Sequence, residues 1–302
     1  MAPIQHCSVC IRECEKGHSF CRRRDENGNL KQKNRLNAIH TDYLFDKPII
    51  HFGKNAKILS IGSWGCNFRC LGCQNVNLSW SVTGENLDST DMKPQEIVNM
   101  ALKNNCSGIC YTYNEPAILP ETVEDIASLA RESDLFNVFV TNSTLTEKSV
   151  KRISGYIDAV AADIKSLNDG FYYEYCGAAG IPDVVSKILK CIKAFSESKC
   201  HVEVRTNIIP GANDQEENYR GIASWIRDNL GSFAPWHITR FFPSNKLLHI
   251  GQTPVESMLR AQQIGISEGL KHVQIFPDKG CDCARETDLV EINTIHETHD
   301  CC

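Results

Sequence analysis

The chain has 302 residues, 42% hydrophobic and 23% charged, a globular composition long enough for one large core or two modest ones. Its 32 Lys and Arg against 37 Asp and Glu leave a net charge of −5, which argues against a basic nucleic-acid face and against an acidic disordered tail. The opening residues lack the apolar run of a signal peptide, and no stretch approaches the roughly 20 apolar residues of a membrane span. A cytoplasmic protein with no nucleic-acid and no membrane partner is expected.

In chain order, the first informative segment is a cysteine-rich front, Cys7-x2-Cys10-x3-Cys14-x6-Cys21. In a reducing compartment abundant cysteine usually means metal rather than disulfide. Four thiols so close together could hold a second metal, zinc or iron–sulfur, or could be loose thiols packed incidentally. Lys16, Arg22, Arg23 and Arg24 around them read as a solvated face.

A strand is predicted over residues 56–61, followed by the turn Gly62-Ser63-Trp64-Gly65 and then Cys66-x3-Cys70-x2-Cys73. Three thiolates on one short loop can hold three corners of a cubane iron–sulfur cluster, leaving the fourth iron open to a small chelating molecule. Beyond the loop, strand and helix alternate. Pro94 opens a helix at its favoured first position. Residues 107–113 read as a strand, 120–132 as an amphipathic helix, 137–141 as a β-branched strand and 146–154 as a helix. Strands follow at 159–164, 201–209 and 236–242, with helices around 170, at 182–195, from Asp214 with Glu217 as capping partner, and from a Thr253-Pro254-Val255-Glu256 capping box to about 268. Residues 272–276 could add a last strand.

Six βα units imply a parallel sheet with covering helices, two units short of a full (β/α)8 barrel. The expected fold is α/β: a partial (β/α)6 TIM-like barrel with cysteine-rich N-terminal and C-terminal extensions. Its divisions are a cysteine-rich segment over 1–50, a core over 51–276 and a tail over 277–302. The tail carries Cys281, Cys283, Cys301 and Cys302, which could bind metal, act as redox thiols or do nothing. Cys106, Cys110, Cys176, Cys191 and Cys200 read as small buried apolar residues.

Parallel sheets place chemistry at the C-terminal ends of their strands. Those ends carry Asn114 and Glu115, Asn142, Asp163 and Lys165, Glu203 and Arg205, and His237 and Arg240. A lone Asp–Lys pair is commonly a solvated ion pair. Five polar strand ends in register with a three-cysteine loop point to one shared site.

The run from Ile61 through Cys66, Cys70 and Cys73 to Asn75 resembles radical SAM enzymes of the pyruvate formate-lyase-activating type, in particular the radical SAM member of the AmmeMemoRadiSam system. The likeness extends to Tyr113-Asn114-Glu115-Pro116, Asp163 with Lys165, Tyr175-Cys176-Gly177-Ala178, Ile208 to Asp214, Pro235-Trp236-His237 and Thr253 to Glu256. It implies a [4Fe–4S] cluster on Cys66, Cys70 and Cys73 that cleaves S-adenosylmethionine (SAM) reductively to a 5′-deoxyadenosyl radical. It also implies SAM contacts from Asn114, Glu115, Asn142, Asp163, Lys165, Arg205 and His237, with Arg205 or Lys165 as partner of the methionyl carboxylate. Glu203 could instead point to the other face of its strand. Implied partners are an electron donor such as ferredoxin or flavodoxin and a substrate of unknown identity that could be a protein residue, as in glycyl-radical activation. The competing class is an iron–sulfur carrier or redox sensor without SAM turnover, which would have no need of the polar strand ends. One departure stands out: similar loops carry an aromatic residue before the third cysteine, where this chain has Gly72. An adenine contact would then come from Phe68 or Trp64.

Overall fold

A computed structural model of the chain describes residues 6–85 and 87–277. The tail cysteines Cys281, Cys283, Cys301 and Cys302 lie outside the described residues.

One eight-stranded sheet organises the molecule. Its strands are β1 (Ala38–Tyr43), β2 (Lys57–Gly62), β3 (Gly108–Tyr111), β4 (Phe136–Thr141), β5 (Ala159–Asp163), β6 (His201–Ile208), β7 (Trp236–Arg240) and β8 (Val273–Phe276). They stand side by side in chain order, and every pairing is parallel except β1 with β2. The two end strands do not pair with each other, so the barrel stays open. The sheet therefore begins inside the segment set off as residues 1–50. The composition of β1, half polar and never fully buried, hides that strand from a search for apolar runs.

Helices cover one face: α1 (Pro94–Lys103), α2 (Pro120–Glu132), α3 (Glu147–Ile153), α4 (Asp169–Tyr175), α5 (Val184–Glu197), α6 (Glu216–Leu230) and α7 (Val255–Ser267). Local chemistry starts several of them. Pro94 and Pro120 occupy first helical positions, Thr146 accepts the Ser149 amide, and the Asn168 side chain accepts the Gly170 amide at 2.7 Å. Two expected starts differ. Helix α6 begins at Glu216, two residues beyond Asp214. Thr253 does not cap α7: its hydroxyl accepts the Phe241 amide at 2.7 Å and donates to the Ile208 carbonyl at 2.6 Å. It ties two strand ends together instead.

The two sheet faces differ in size of side chain. Toward the helices, Ile109, Phe139, Val160, Val204 and Trp236 meet Ile97, Ile126, Ile192, Ile222 and Met258 in the main core. The inner face carries Ile58, Cys110, Val138, Ala159 and Ala161, and Leu44 and Ile49 from the β1–β2 connection close over them. Small residues leave room for that plug at the middle of the sheet. The C-terminal strand ends remain available for polar side chains. Among the described residues, no helix is long and apolar enough to cross a membrane.

Leu44 has no exposed surface. Leu44→Ala should lower stability by about 2 to 5 kcal/mol, seen as a lower urea midpoint with an unchanged slope.

Candidate functional site

The three-cysteine loop leaves β2 through Gly62. A Cβ at Gly62 would sit 2.6 Å from the Thr112 carbonyl, so only glycine lets β2 and β3 end this close together. The loop forms no regular element, and its polar groups are satisfied from several distant segments. Asn114 accepts the Ser63 amide at 2.9 Å and donates to the Gly65 carbonyl at 3.0 Å. Asn67 donates to Thr144 Oγ1 at 2.7 Å and accepts from Asn142 Nδ2 at 3.0 Å. The Arg69 and Leu71 amides bond to the carbonyls of Cys176 and Tyr175, and Ser244 donates to the Gly72 carbonyl at 2.8 Å. The Phe68 amide points at Cys66 Sγ, 3.3 Å away.

Asp163, Arg205 and His237 are register partners on adjacent strands β5, β6 and β7. Asp163 takes Arg205 at 2.6 Å on one oxygen and the Lys165 ammonium at 2.7 Å on the other. Burial opposes the Asp163 charge, but Arg205 and Lys165 outweigh it and hold the carboxyl below its usual range. Burial also opposes the charge on Lys165, and there Asp163 first, then Cys70 and Cys176, push it well up. Arg205 Nε, although buried, has no hydrogen-bond partner among the described residues.

Glu115 is buried. One of its oxygens accepts Thr141 Oγ1 at 2.6 Å and the Ala117 amide at 2.9 Å, and the other accepts the Asn142 amide at 2.7 Å. Burial nevertheless pushes its carboxyl up to about 7. Glu115 also bears electrostatically on Cys66 and Cys70. The structure thus gathers Cys66, Cys70, Cys73, Glu115, Asp163, Lys165 and Arg205 at one end of the sheet. Asn114 and Asn142 join them as struts, with their side chains spent on the loop.

His237 stands apart. It has no exposed surface, bonds through Nε2 to Glu203, stacks on His51 with ring centres 5.9 Å apart and meets the Phe276 edge. Glu203 does not turn to the other face. Residues 203 and 205 alternate in phase, and Glu203 accepts the Ile50 and His51 amides at 3.1 and 3.0 Å as well as His201. This network anchors the plug segment beneath the site.

Sequence reasoning misses Asn67 and Cys176. The Cys176 thiol, read as plain core, pairs with Cys70: the contact lowers the Cys70 pKa, while burial first and the contact second raise that of Cys176. The position before Cys73 is also resolved. A Cβ on Gly72 would lie 2.9 Å from Phe241 and 3.2 Å from Leu247, so the aromatic ring at this point comes from the far side of the barrel. Trp64 and Phe68 are both buried, packed against Arg23 and Tyr172 respectively.

The donor set of the loop suits a cubane. Its three thiols on one short loop are the donors for three cubane corners; among the described residues no three Cys, His, Asp or Glu side chains are placed to hold a single metal ion.

Comparison with known proteins agrees with the geometry. The model of the Radical SAM superfamily matches residues 61–220. An uncharacterised protein of Methanocaldococcus jannaschii is 36% identical over 89% of this chain and 80% of its own length. The pyruvate formate-lyase-activating enzyme of Clostridium pasteurianum is 24% identical over 54% of this chain and 67% of its own. Among solved structures, a radical SAM methyltransferase from Sphaerobacter thermophilus matches in fold with a TM-score of 0.55 at 15% identity, over 74% of this chain and 67% of that one.

Glu203 offers a test of the anchoring network. Burial alone would raise its carboxyl, but His201, His237 and the Ile50 amide hold it from the ordinary 4.5 down to about 2. A depressed carboxyl contributes stability above its ordinary pKa and loses it as pH falls toward the depressed value. Glu203→Gln should cost on the order of 3 kcal/mol near pH 7, with the deficit narrowing from pH 4.5 downward in urea titrations. A deficit independent of pH would contradict the assignment.

Proposed function

Since the chain belongs to the radical SAM superfamily, we propose that Cys66, Cys70 and Cys73 hold three irons of its [4Fe–4S] cluster and that SAM binds between this loop and the Asp163–Lys165–Arg205 row. The observation that carries this reading is the convergence of the loop with that row: Lys165 bears electrostatically on both Cys70 and Cys73. With cluster and SAM in place, the cofactors supply a one-electron cleavage of the sulfonium that yields methionine and a 5′-deoxyadenosyl radical.

The protein residues position and balance charge. Arg205, whose buried Nε has no partner among the described residues, is the natural partner of the methionyl carboxylate. Lys165 faces the thiolates and offsets part of their negative charge. Glu115 bears electrostatically on Cys66 and suits the methionyl ammonium, whose charge would draw its raised pKa back down. Asn114 and Asn142 hold the loop and the Glu115 backbone neighbour in place. His237, held by Glu203 and stacked on His51, fixes β6 against β7, and its buried Nδ1 has no partner among the described residues. Phe241 at Gly72 takes the place of the aromatic residue carried by similar loops.

The radical would abstract hydrogen from a protein partner. The likeness to pyruvate formate-lyase-activating enzyme supports this, as does an open barrel, which gives a large partner access. A low-potential donor such as ferredoxin or flavodoxin would supply the electron.

Anaerobic reconstitution with iron and sulfide, reduction with dithionite and addition of SAM should yield 5′-deoxyadenosine. Replacing Cys66, Cys70 or Cys73 by Ala should reduce the product to background. Arg205→Ala should keep the cluster and weaken SAM binding roughly tenfold, about 1.4 kcal/mol. Product from the Cys70→Ala protein at the wild-type level would refute the proposal.

A further inference from the structure

The four front cysteines lie outside residues 61–220, and the SAM reading gives them no role. They do not form an exposed appendage. Cys10 and Cys21 are buried, Cys7 and Cys14 half-buried, and all four are free thiols. A short antiparallel ladder sets Cys7 against Cys14, with the Cys7 amide on the Cys14 carbonyl at 2.7 Å and His6 bridged to Glu15. Cys10 bridges to Leu145, and Cys21 lies within electrostatic reach of Cys7, Cys10 and Cys14.

Two features mark the surroundings of these thiols. The first is the local turn. The amides of Arg12 and Arg23 point back at the sulfurs of Cys10 and Cys21, two residues earlier. The Phe68 and Asn75 amides do the same at Cys66 and Cys73 in the cluster loop. Cys14 Sγ accepts the Phe20 amide at 3.4 Å. Burial raises the Cys10 and Cys21 thiols, and the Arg12 and Arg23 amides work against it.

The second is unbalanced positive charge. Arg23 has no exposed surface. It bonds to Ser63 Oγ at 2.7 Å and to the carbonyls of Trp64 and Gln32, and its buried Nε has no partner among the described residues. Arg12 bonds only to the carbonyls of Asn67, Gly177 and Ala179, with its guanidinium 3.6 Å above the Phe20 ring. Arg69 likewise uses carbonyls and the other reach of Phe20. Among the described residues none of these three arginines forms an ion pair, while the adjacent Arg24 has Glu121 at 2.8 Å. The expected solvated face is therefore an interior layer at Arg23 and Arg24. Buried guanidinium without a counter-charge is costly. The groups within electrostatic reach of Arg12 are Cys14, Cys10 and Cys66, that of Arg23 is Cys21, and those of Arg69 are Cys66, Cys21 and Cys70. Neutral thiols would leave this layer uncompensated. Four thiolates around a dication, or around an oxidised [4Fe–4S] core, carry a net charge of about −2 and would balance it.

We propose that Cys7, Cys10, Cys14 and Cys21 form a second, four-thiolate metal centre, zinc or iron–sulfur, that clamps the front segment onto the cluster loop. The clamp is direct. Arg12 Nε bonds to the Asn67 carbonyl at 2.9 Å, and a Cβ on Gly65 would lie 2.8 Å from the Cys21 carbonyl. Among the described residues no three Cys, His, Asp or Glu side chains are placed to hold a single ion, so zinc would require the thiols to move together, whereas an iron–sulfur core spans a wider separation. The inference does not depend on SAM chemistry.

The test uses full-length protein with Cys66, Cys70 and Cys73 all replaced by Ala, loaded anaerobically in two arms, iron with sulfide or zinc alone, and then desalted. The expected result is bound metal in one arm, about four irons or about one zinc per chain, lost when Cys7, Cys10, Cys14 and Cys21 are also replaced. The stoichiometry identifies the metal. Equal background in both proteins and both arms would overturn the proposal. As a check independent of how the sevenfold variant folds, Cys7 and Cys14 in the triple variant should alkylate at least roughly tenfold more slowly when loaded than after chelation. Equal rates would also overturn it.

Discussion

An irregular, buried loop can hold its shape only if every amide and carbonyl it hides finds a partner. That constraint governs the loop from Gly65 to Cys73. It has no ladder of its own, and its partners come from the front segment, the ends of β3 and β4, the turn after α4 and the turn after β7. The whole (β/α) frame can be seen as the means of bringing these segments to one place. Loss of any strut would leave a buried polar group unpaired and loosen the thiol spacing that a cluster needs.

The sheet meets this demand by dividing its faces. The helical side is packed with large apolar residues. The inner side is lined with alanine, cysteine and valine, filled by Leu44 and Ile49, and turns charged only at the strand ends. Glu203 links these levels. It holds the plug through the Ile50 and His51 amides and holds His237 on the next strand, immediately behind Arg205. The Asp163 row thus rests on a hydrogen-bonded carboxylate buried one residue layer below it.

Much of this is legible in the sequence because it is written in local patterns. The parallel strands are short apolar runs bounded by turn residues, and the loop announces itself through the spacing of Cys66, Cys70 and Cys73. What is not legible depends on long-range direction. His237 and Arg205 are equally polar residues on neighbouring strands, yet only the packing of His51 and Phe276 shows that the imidazole is enclosed. Thr253 has the sequence of a helix cap but bonds to two strands instead. Asn67 meets a partner 75 residues away, and Phe241 reaches Gly72 from more distant sequence still. Arg23 and Arg24 look like solvated charge until the fold closes over them. No local periodicity encodes such contacts.

The central claim is that the cluster loop and the Asp163–Lys165–Arg205 row form a single SAM site. The most direct measurement is the electron paramagnetic resonance spectrum of the reduced, reconstituted protein with and without SAM. Binding at the open iron of a cluster on Cys66, Cys70 and Cys73 predicts a changed g-tensor and line shape on adding SAM, with the change weakened in Arg205→Ala. A reduced-cluster signal that SAM leaves unaltered would contradict the account.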